Sequence, residues 1–208
     1  MATSKGKGKV SAPVGGRREV TRERLIRAAR DMITERGFHR VSLDAIAASA
    51  GLTKGAVYDN FHSKDELFLA VVGAWASERL QRFAWPTGRH GTLKERMRRL
   101  AEAVIADADA AQREAPMRAE FLLYTLTHEE IRRHMSGAAA GRLSYIRGRL
   151  LEVLAEDELA VPLDTFILMI EALVPGLMFI RSQGAELVTD QAIIAIFESF
   201  AAHRPRGR

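Results

Sequence analysis

Apolar residues recur every three or four positions along most of this chain, which is the spacing that places side chains on one face of an α-helix. No segment shows the strict alternation of apolar and polar residues that is typical of a half-buried strand. The pattern therefore predicts an all-α protein of about nine helices. Besides two short helices within residues 42–61, the predicted helices cover residues 21–36, 64–83, 92–111, 116–128, 129–154, 162–183 and 189–203.

The two short helices are separated by a tight turn. Ser42 is placed to cap the first of them, whose apolar stripe includes Ile46. Gly51 ends that helix, because glycine adopts the left-handed conformation at little cost. Thr53 is placed to cap the second helix, with Phe61 turned inward. This order of elements predicts a helix-turn-helix.

Glycine, proline and hydroxyl residues indicate where the other helices begin, end or bend. We expect Thr21 to cap the first helix and Gly37 to end it, and Ser63 to cap the helix that starts near Lys64. Glycines make residues 137–141 a weak point of their helix. Pro175, inside a long apolar run, is expected to kink the helix that contains it.

A many-point sequence pattern runs through the helix-turn-helix and the start of the following helix. The residues that carry it are Ser42, Ile46, Ala47, Ala50, Gly51, Thr53, Lys54, Gly55, Tyr58, Phe61, Lys64 and Leu67. In this register the chain resembles the TetR family of transcriptional regulators, over about a third of its length when the first helix is included. The resemblance implies a three-helix DNA-binding head and a helical body that dimerises and holds a small-molecule pocket.

Charge is distributed unevenly along the chain. Residues 1–68 carry 13 Lys and Arg against 8 Asp and Glu, whereas residues 69–208 carry 18 of each. The net charge of +5 therefore belongs to the helix-turn-helix part, as expected for a head that faces a polyanion. We expect a disordered basic arm over residues 1–19, a DNA-binding domain over 20–68 and a regulatory and dimerisation domain over 69–208. The arm either follows DNA phosphates or is only a solvated leader.

The preferred partner is double-stranded operator DNA. In a helix-turn-helix the second helix enters the major groove, while the first crosses the backbone. Hydroxyls, a phenol and a cation suit phosphate oxygens, and longer polar side chains suit base edges. The predicted DNA contacts are Ser42, Thr53, Lys54, Gly55, Ala56, Tyr58, Asn60 and Lys64.

Two positions of the second helix depart from expectation. Asn60 stands where the family often has an aromatic residue or histidine, which changes any transferred base preference. Asp59 places a carboxylate on a surface that faces phosphates, so it either accepts a hydrogen bond from cytosine or holds a neighbouring arginine.

The last two predicted helices are apolar on several faces and so require a cover, either their own domain or a partner. We favour a homodimer formed through these helices. The predicted interface residues are Phe166, Ile170, Ile193, Ile194 and Phe197.

Aromatic and thioether side chains in the C-terminal part suit an apolar or amphipathic effector, although ordinary core packing would also explain most of them. The predicted pocket residues are Trp75, Met117, Phe121, Tyr124, His128, Tyr145, Phe166, Met169 and Met178.

Evidence for catalysis is weak. His128 and His134 lie six residues apart, about 240° around a helix, whereas a helical zinc motif needs a spacing of four. With no cysteine and no phosphate-cradling loop, we predict no metal site, no cofactor and no enzymatic activity. The alternatives are a ligand-independent architectural DNA-binding protein and a small helical enzyme. Without a run of 18 apolar residues or a signal peptide, we expect a cytoplasmic location and no membrane partner.

Overall fold

The computed structural model describes residues 14–201. Over that range the chain contains ten α-helices, two 3-10 turns and no strand, which confirms the predicted all-α class. The helices are α1 (Val14–Arg36), α2 (Leu43–Ser49), α3 (Lys54–Tyr58), α4 (Lys64–Arg82), α5 (Leu93–Ala106), α6 (Ala108–Arg113), α7 (Ala115–Thr127), α8 (Glu129–Leu151), α9 (Leu163–Gln183) and α10 (Asp190–Ser199). Two compact units, Met1–Ala76 and Ser77–Arg208, divide within α4.

The first unit forms around aromatic and aliphatic side chains of α1, α2, α3 and the start of α4. Phe61 is fully buried, and the ring of Phe38, in the 3-10 turn after α1, lies 4.2 Å from the ring of Phe68, measured between centroids. Gly37 and Gly51 both have positive φ, which explains why glycine follows α1 and α2. The predicted turns on either side of α2 are therefore confirmed.

The start of α1 was predicted wrongly. The helix begins at Val14 rather than Thr21, so residues 14–19, which we expected in a disordered arm, are helical. The hydroxyl of Thr21 donates to the carbonyl of Arg17 at 2.9 Å, which is a bond within the helix rather than a cap. A long-range contact holds the added turns, because the guanidinium of Arg18 donates to the carbonyl of Asp59. The rest of the predicted arm lies outside the described residues.

The second unit is built from α5 to α10, with α10 packed chiefly against α5. The predicted helix 92–111 is interrupted at Asp107, which ends α5 and begins α6. The carboxylate of Asp107 accepts a hydrogen bond from Arg79 at 3.1 Å, so a tertiary ion pair occupies the break. By contrast, α8 passes through the glycines of residues 137–141 without interruption.

A buried guanidinium joins the start of this unit to a distant turn. Arg96 on α5 is 3% exposed, and its Nη2 lies 2.5 Å from a carboxylate oxygen of Glu158 in the second 3-10 turn (Glu156–Glu158). Its Nη1 also donates to the carbonyl of Val153 at 3.4 Å. The charge is therefore compensated, as a buried cation requires.

Among the described residues, α9 is the one helix long and apolar enough to cross a membrane by length and composition. Phe166 and Ile167 on α9 are nevertheless buried in the core of the second unit, and Glu171 forms an ion pair with Arg142 of α8. We therefore interpret α9 as a core helix whose opposite side is apolar as well.

Candidate nucleic-acid interface

Hydroxyl caps fix the start of both helices of the helix-turn-helix. The Oγ of Ser42 accepts from the backbone N–H of Ala45 at 3.2 Å, and the Oγ1 of Thr53 accepts from the N–H of Ala56 at the same distance. Both residues are exposed. Because each hydroxyl uses a lone pair for its cap, its hydrogen can still be donated to a phosphate oxygen.

A shallow depression of about 480 Å³ lies on the surface of the first unit. It brings together four of the eight predicted DNA contacts, namely Ser42, Lys54, Tyr58 and Lys64. The other lining residues, which are not among the predicted DNA contacts, are His39, Arg40, Val41, Leu43 and Asp44. The 3-10 turn (Phe38–Arg40) thus adds an imidazole and a guanidinium to this surface. In the sequence, the signal for them is a pair of basic residues separated from the Ser42 cap by Val41 alone.

The ammonium of Lys54 is paired within the chain. Its Nζ lies 2.8 Å from a carboxylate oxygen of Asp44 and 5.9 Å from the centroid of the Tyr58 ring. The hydrogen bond and charge of Asp44 raise the pKa of Lys54 above its usual value. Both side chains remain largely exposed, so water competes for the same pair.

The ammonium of Lys64, in the first turn of α4, lies 4.3 Å from the centroid of the Phe38 ring. A cation over an aromatic face is attracted by the ring quadrupole, so this contact compensates for the unfavourable position of a cation at a helix N-terminus. Glu66 in the same turn accepts from the backbone N–H of His62 at 2.7 Å. These contacts fix the start of α4 on the surface that carries Tyr58.

Asn60 lies beyond the end of α3 and turns back on it. Its Nδ2 donates to the carbonyl of Ala56 at 2.8 Å, and its buried Oδ1 finds no hydrogen-bond partner among the described residues. Ala56 is also half-buried, whereas Gly55 is exposed. A Cβ added at Gly55 would meet only the Thr53 hydroxyl, at an ordinary 3.8 Å. The fold itself therefore has room for a side chain at position 55.

The predicted pocket residues occupy different environments. Tyr124 is buried and its ring stacks on that of His128, with centroids 3.8 Å apart. Phe166 is buried in the core, where it contacts Phe200, whereas Met169 is 39% exposed. In the second unit, Met117 and Met178 are buried, Phe121 is half-buried and Tyr145 is exposed. Trp75 is buried in the first unit. No group of three or more potential metal-ligating side chains occurs within residues 14–201.

Four of the five predicted dimer contacts lie in the core of the second unit. Phe166, Ile193, Ile194 and Phe197 are at most 9% exposed there, so they offer little surface to another chain, and the dimer interface itself stays a prediction. The remaining residue, Ile170, is partly buried against the same core. The apolar pattern predicts that these helices pack against something. It does not show which of their faces packs within the same chain and which would contact a partner.

Comparison with known proteins relates the chain to bacterial regulators. The family model for bacterial regulatory proteins of the tetR family matches residues 25–71. The helix-turn-helix-type transcriptional regulator SrpR of Pseudomonas putida is 30% identical over 196 residues, which cover 90% of this chain and 88% of that protein.

Solved structures share the fold. The transcriptional regulator SCO7518 of Streptomyces coelicolor superposes with a TM-score of 0.70 at 20% identity, over 88% of this chain and 99% of the other. The multidrug-binding protein EbrR, crystallised with proflavin, gives a TM-score of 0.61 at 15% identity, over 86% of this chain and 99% of its own. At these identities the similarity shows the fold alone.

Proposed function

The chain belongs to the TetR family of bacterial regulatory proteins and is a helix-turn-helix transcriptional regulator; on that premise, we propose that it is a repressor released from a palindromic operator by a small-molecule effector. The observation that carries the proposal is the cluster of Ser42, Lys54, Tyr58 and Lys64 around one depression of the helix-turn-helix. Residues 20–68 would form the DNA-binding domain and residues 69–208 the regulatory and dimerisation domain.

The chemistry of the exposed side chains on this surface supports an assignment of the DNA contacts. We assign phosphate contacts to Ser42, Thr53, Tyr58 and Lys64, because their hydroxyl, phenol and ammonium groups donate hydrogen bonds without reading sequence. Lys54, at the start of α3, would reach base edges together with the methyl of Ala56. The exposed backbone at Gly55 would then lie closest to the duplex. Asn60 is the weakest member of the predicted set, since its amide already binds α3.

Two copies of the chain would bind one operator. Support comes from a stripe of apolar side chains that α9 leaves exposed, in which Leu168 is 60%, Met169 39%, Phe179 67% and Ile180 42% exposed. Leu168 and Phe179, like Met169 and Ile180, are eleven residues apart. Eleven residues are close to three helical turns, so the four side chains share one apolar face, which is the kind of surface that a second copy covers. A two-fold dimer would place two α3 helices in major grooves about 34 to 36 Å apart, or a multiple of this.

Release by an effector would be a shift between conformations. A ligand that binds better to a dimer with wrongly spaced heads removes the protein from DNA, and operator binding weakens ligand affinity by the same factor. The stacked Tyr124 and His128 rings suit a flat apolar or amphipathic molecule, and proflavin on EbrR is a ligand of that kind. Repression and release would take place in the cytoplasm, where the operator is.

Selection of bound fragments from the source genome tests this function. Purified full-length protein is expected to enrich a small set of fragments that share an inverted repeat with half-sites one or two helical turns apart. Enrichment without an inverted repeat would contradict the dimeric model, and recovery of random fragments would contradict regulation of a specific operator. The enriched fragment then serves in thermal-shift and titration screens, where a compound that stabilises the protein should also weaken its binding to DNA.

A further inference from the structure

The two helices of the helix-turn-helix are too short to be stable by themselves. α2 has seven residues and α3 has five, whereas isolated helices below about 12 to 15 residues are marginal in water. Their amino ends are capped by Ser42 and Thr53 within the same segment. Their carboxyl ends expose backbone carbonyls and the negative end of the helix dipole, and they need partners from elsewhere.

Those partners are two arginines of α1. The Nη2 of Arg24 donates to the carbonyl of Ala50, the C-cap residue of α2, at 2.6 Å. The Nη2 of Arg18 donates to the carbonyl of Asp59, the C-cap residue of α3, at 2.9 Å. A guanidinium at a helix C-terminus both satisfies a carbonyl and complements the dipole.

A third arginine strengthens the arrangement near α3. The guanidinium carbon of Arg22 lies 5.0 Å from the centroid of the Phe61 ring, two residues beyond Asp59. Phe61 is fully buried, and its backbone N–H donates to the carbonyl of Val57 inside α3. The end of α3 is therefore held by Arg18 at the carbonyl of Asp59 and by Arg22 at the ring of Phe61.

We propose that Arg18 and Arg24 are positioning residues, which cap the carboxyl ends of α3 and α2 and thereby determine operator selectivity rather than general affinity for DNA. The proposal rests on the proposed function. A cation that only neutralises phosphates raises the affinity for every duplex equally. A cation that fixes the position of α3 raises chiefly the affinity for the operator, where side chains of α3 must contact base edges. It also explains why α1 continues back to Val14, since Arg18 lies in the added turns.

Hydrogen exchange of the free protein tests the capping without DNA. In Arg18→Ala, the amides of Asp59, Asn60 and Phe61, which close the end of α3, should exchange about two- to fivefold faster, the loss expected for a helix-terminal cation. In Arg24→Ala, the same change should appear at Ala50, Gly51 and Leu52.

Arg27→Ala is the matched control, because Arg27 is an exposed α1 arginine without a hydrogen bond or ion pair to any residue of the described range. It removes the same charge and should change none of these amides. Unchanged exchange in Arg18→Ala and Arg24→Ala would overturn the capping role.

DNA titrations test the consequence for selectivity, with the genome-selected fragment and a scrambled duplex as probes. The ratio of the two dissociation constants should fall about two- to fivefold in Arg18→Ala and Arg24→Ala, remain at the wild-type value in Arg27→Ala, and recover in part in Arg18→Lys, which retains a donor and the charge. An equal loss on both probes in Arg18→Ala would make Arg18 a phosphate contact and overturn the proposal. Failure of the wild-type protein to discriminate the probes would instead contradict the proposed function. The hydrogen-exchange result would still decide whether Arg18 and Arg24 cap the two helices.

Discussion

The carboxylate of Asp44, in the first turn of α2, lies 2.8 Å from the ammonium of Lys54, the first residue of α3. The cation that we propose for the major groove is therefore paired within the chain. Asp44 places a negative charge on the proposed DNA-binding surface, and it also restricts where the Lys54 side chain can point. In the proposed complex, DNA binding would break this pair or share it.

Replacing Asp44 with asparagine should strengthen binding to every duplex. Loss of the Asp44 carboxylate removes one negative charge that opposes the phosphates and frees the Lys54 ammonium, so affinity near 0.1 M salt should rise about tenfold and the salt dependence should steepen by about one unit of slope. Anisotropy titrations at several salt concentrations measure both quantities. Asp31→Asn, which removes an exposed carboxylate of α1, is the control. A weaker operator complex in Asp44→Asn would mean that Asp44 orients Lys54 toward a base.

Replacing Lys64 with alanine should weaken binding to operator and scrambled duplex alike. Loss of one phosphate contact lowers affinity about tenfold near 0.1 M salt and reduces the salt slope by about one. The variant also loses the contact with Phe38, which is worth about 0.5–1 kcal/mol of folding free energy. Thermal unfolding measures that part separately. Arg113→Ala, outside the head, should leave the slope unchanged, and an unchanged slope in Lys64→Ala would remove its assigned role.

Replacing Tyr58 with phenylalanine should weaken binding without changing the salt slope. The phenol is 46% exposed beside Lys54, and the substitution removes one neutral hydrogen-bond donor while retaining the ring. A loss of about two- to tenfold on all sequences is expected. The same titration series provides the measurement. Wild-type affinity in Tyr58→Phe would show that the ring alone matters at this position.

A charge on the exposed face of α9 should separate the dimer without unfolding the chain. Phe179→Asp and Leu168→Asp place carboxylates on side chains that are 67% and 60% exposed in one chain, so sedimentation should show monomers with wild-type helicity. Leu122→Asp, at an exposed leucine of α7, is the matched control and should leave the dimer intact. Dimers in both α9 variants would place the interface elsewhere.

The same substitution on the buried side of the last helices should have a different effect. Ile194 and Phe197 are 9% and 1% exposed in the core of the second unit, so a carboxylate there is buried without a partner. Ile194→Asp and Phe197→Asp should lower the free energy of unfolding by more than about 4 kcal/mol. Circular dichroism during denaturation distinguishes this loss of fold from simple dissociation.

The Arg96–Glu158 pair should make stability depend on acid pH. The hydrogen bond and charge of Arg96 hold the pKa of Glu158 below its usual value, so the carboxylate stabilises the folded state at neutral pH. This contribution is complete above the unfolded-state pKa, near 4.5, and is lost as the pH falls through the lower folded-state value. Glu158→Gln should cost about 1–3 kcal/mol at pH 7, and the difference from wild type should shrink below pH 4.5. Glu156→Gln, which breaks an exposed pair with Arg147, should cost at most about 1 kcal/mol.

Local sequence rules predicted the elements of the head well. Ser42 and Thr53 are the caps that their position indicated, and Gly37 and Gly51 have the positive φ expected of them. Such features depend on residues within one turn of each other, and the sequence displays those directly.

Features that depend on distant residues were missed. The early start of α1 involves Asp59, 41 residues from Arg18, and the break at Asp107 involves Arg79, 28 residues away. Helical periodicity shows that a side chain faces a partner, yet it does not tell a partner in the same chain from one in another. For this reason Phe197 was assigned to a dimer interface although it belongs to the core.

Competition between the genome-selected fragment and a scrambled duplex of equal length and composition tests the central claim most directly. The full-length protein, freed of small molecules, is titrated near 0.05 M salt with each labelled duplex. If α3 binds in the major groove, the dissociation constant for the selected fragment should be lower than that for the scrambled duplex by a factor of about a thousand or more. Equal affinity for the two duplexes would contradict the account.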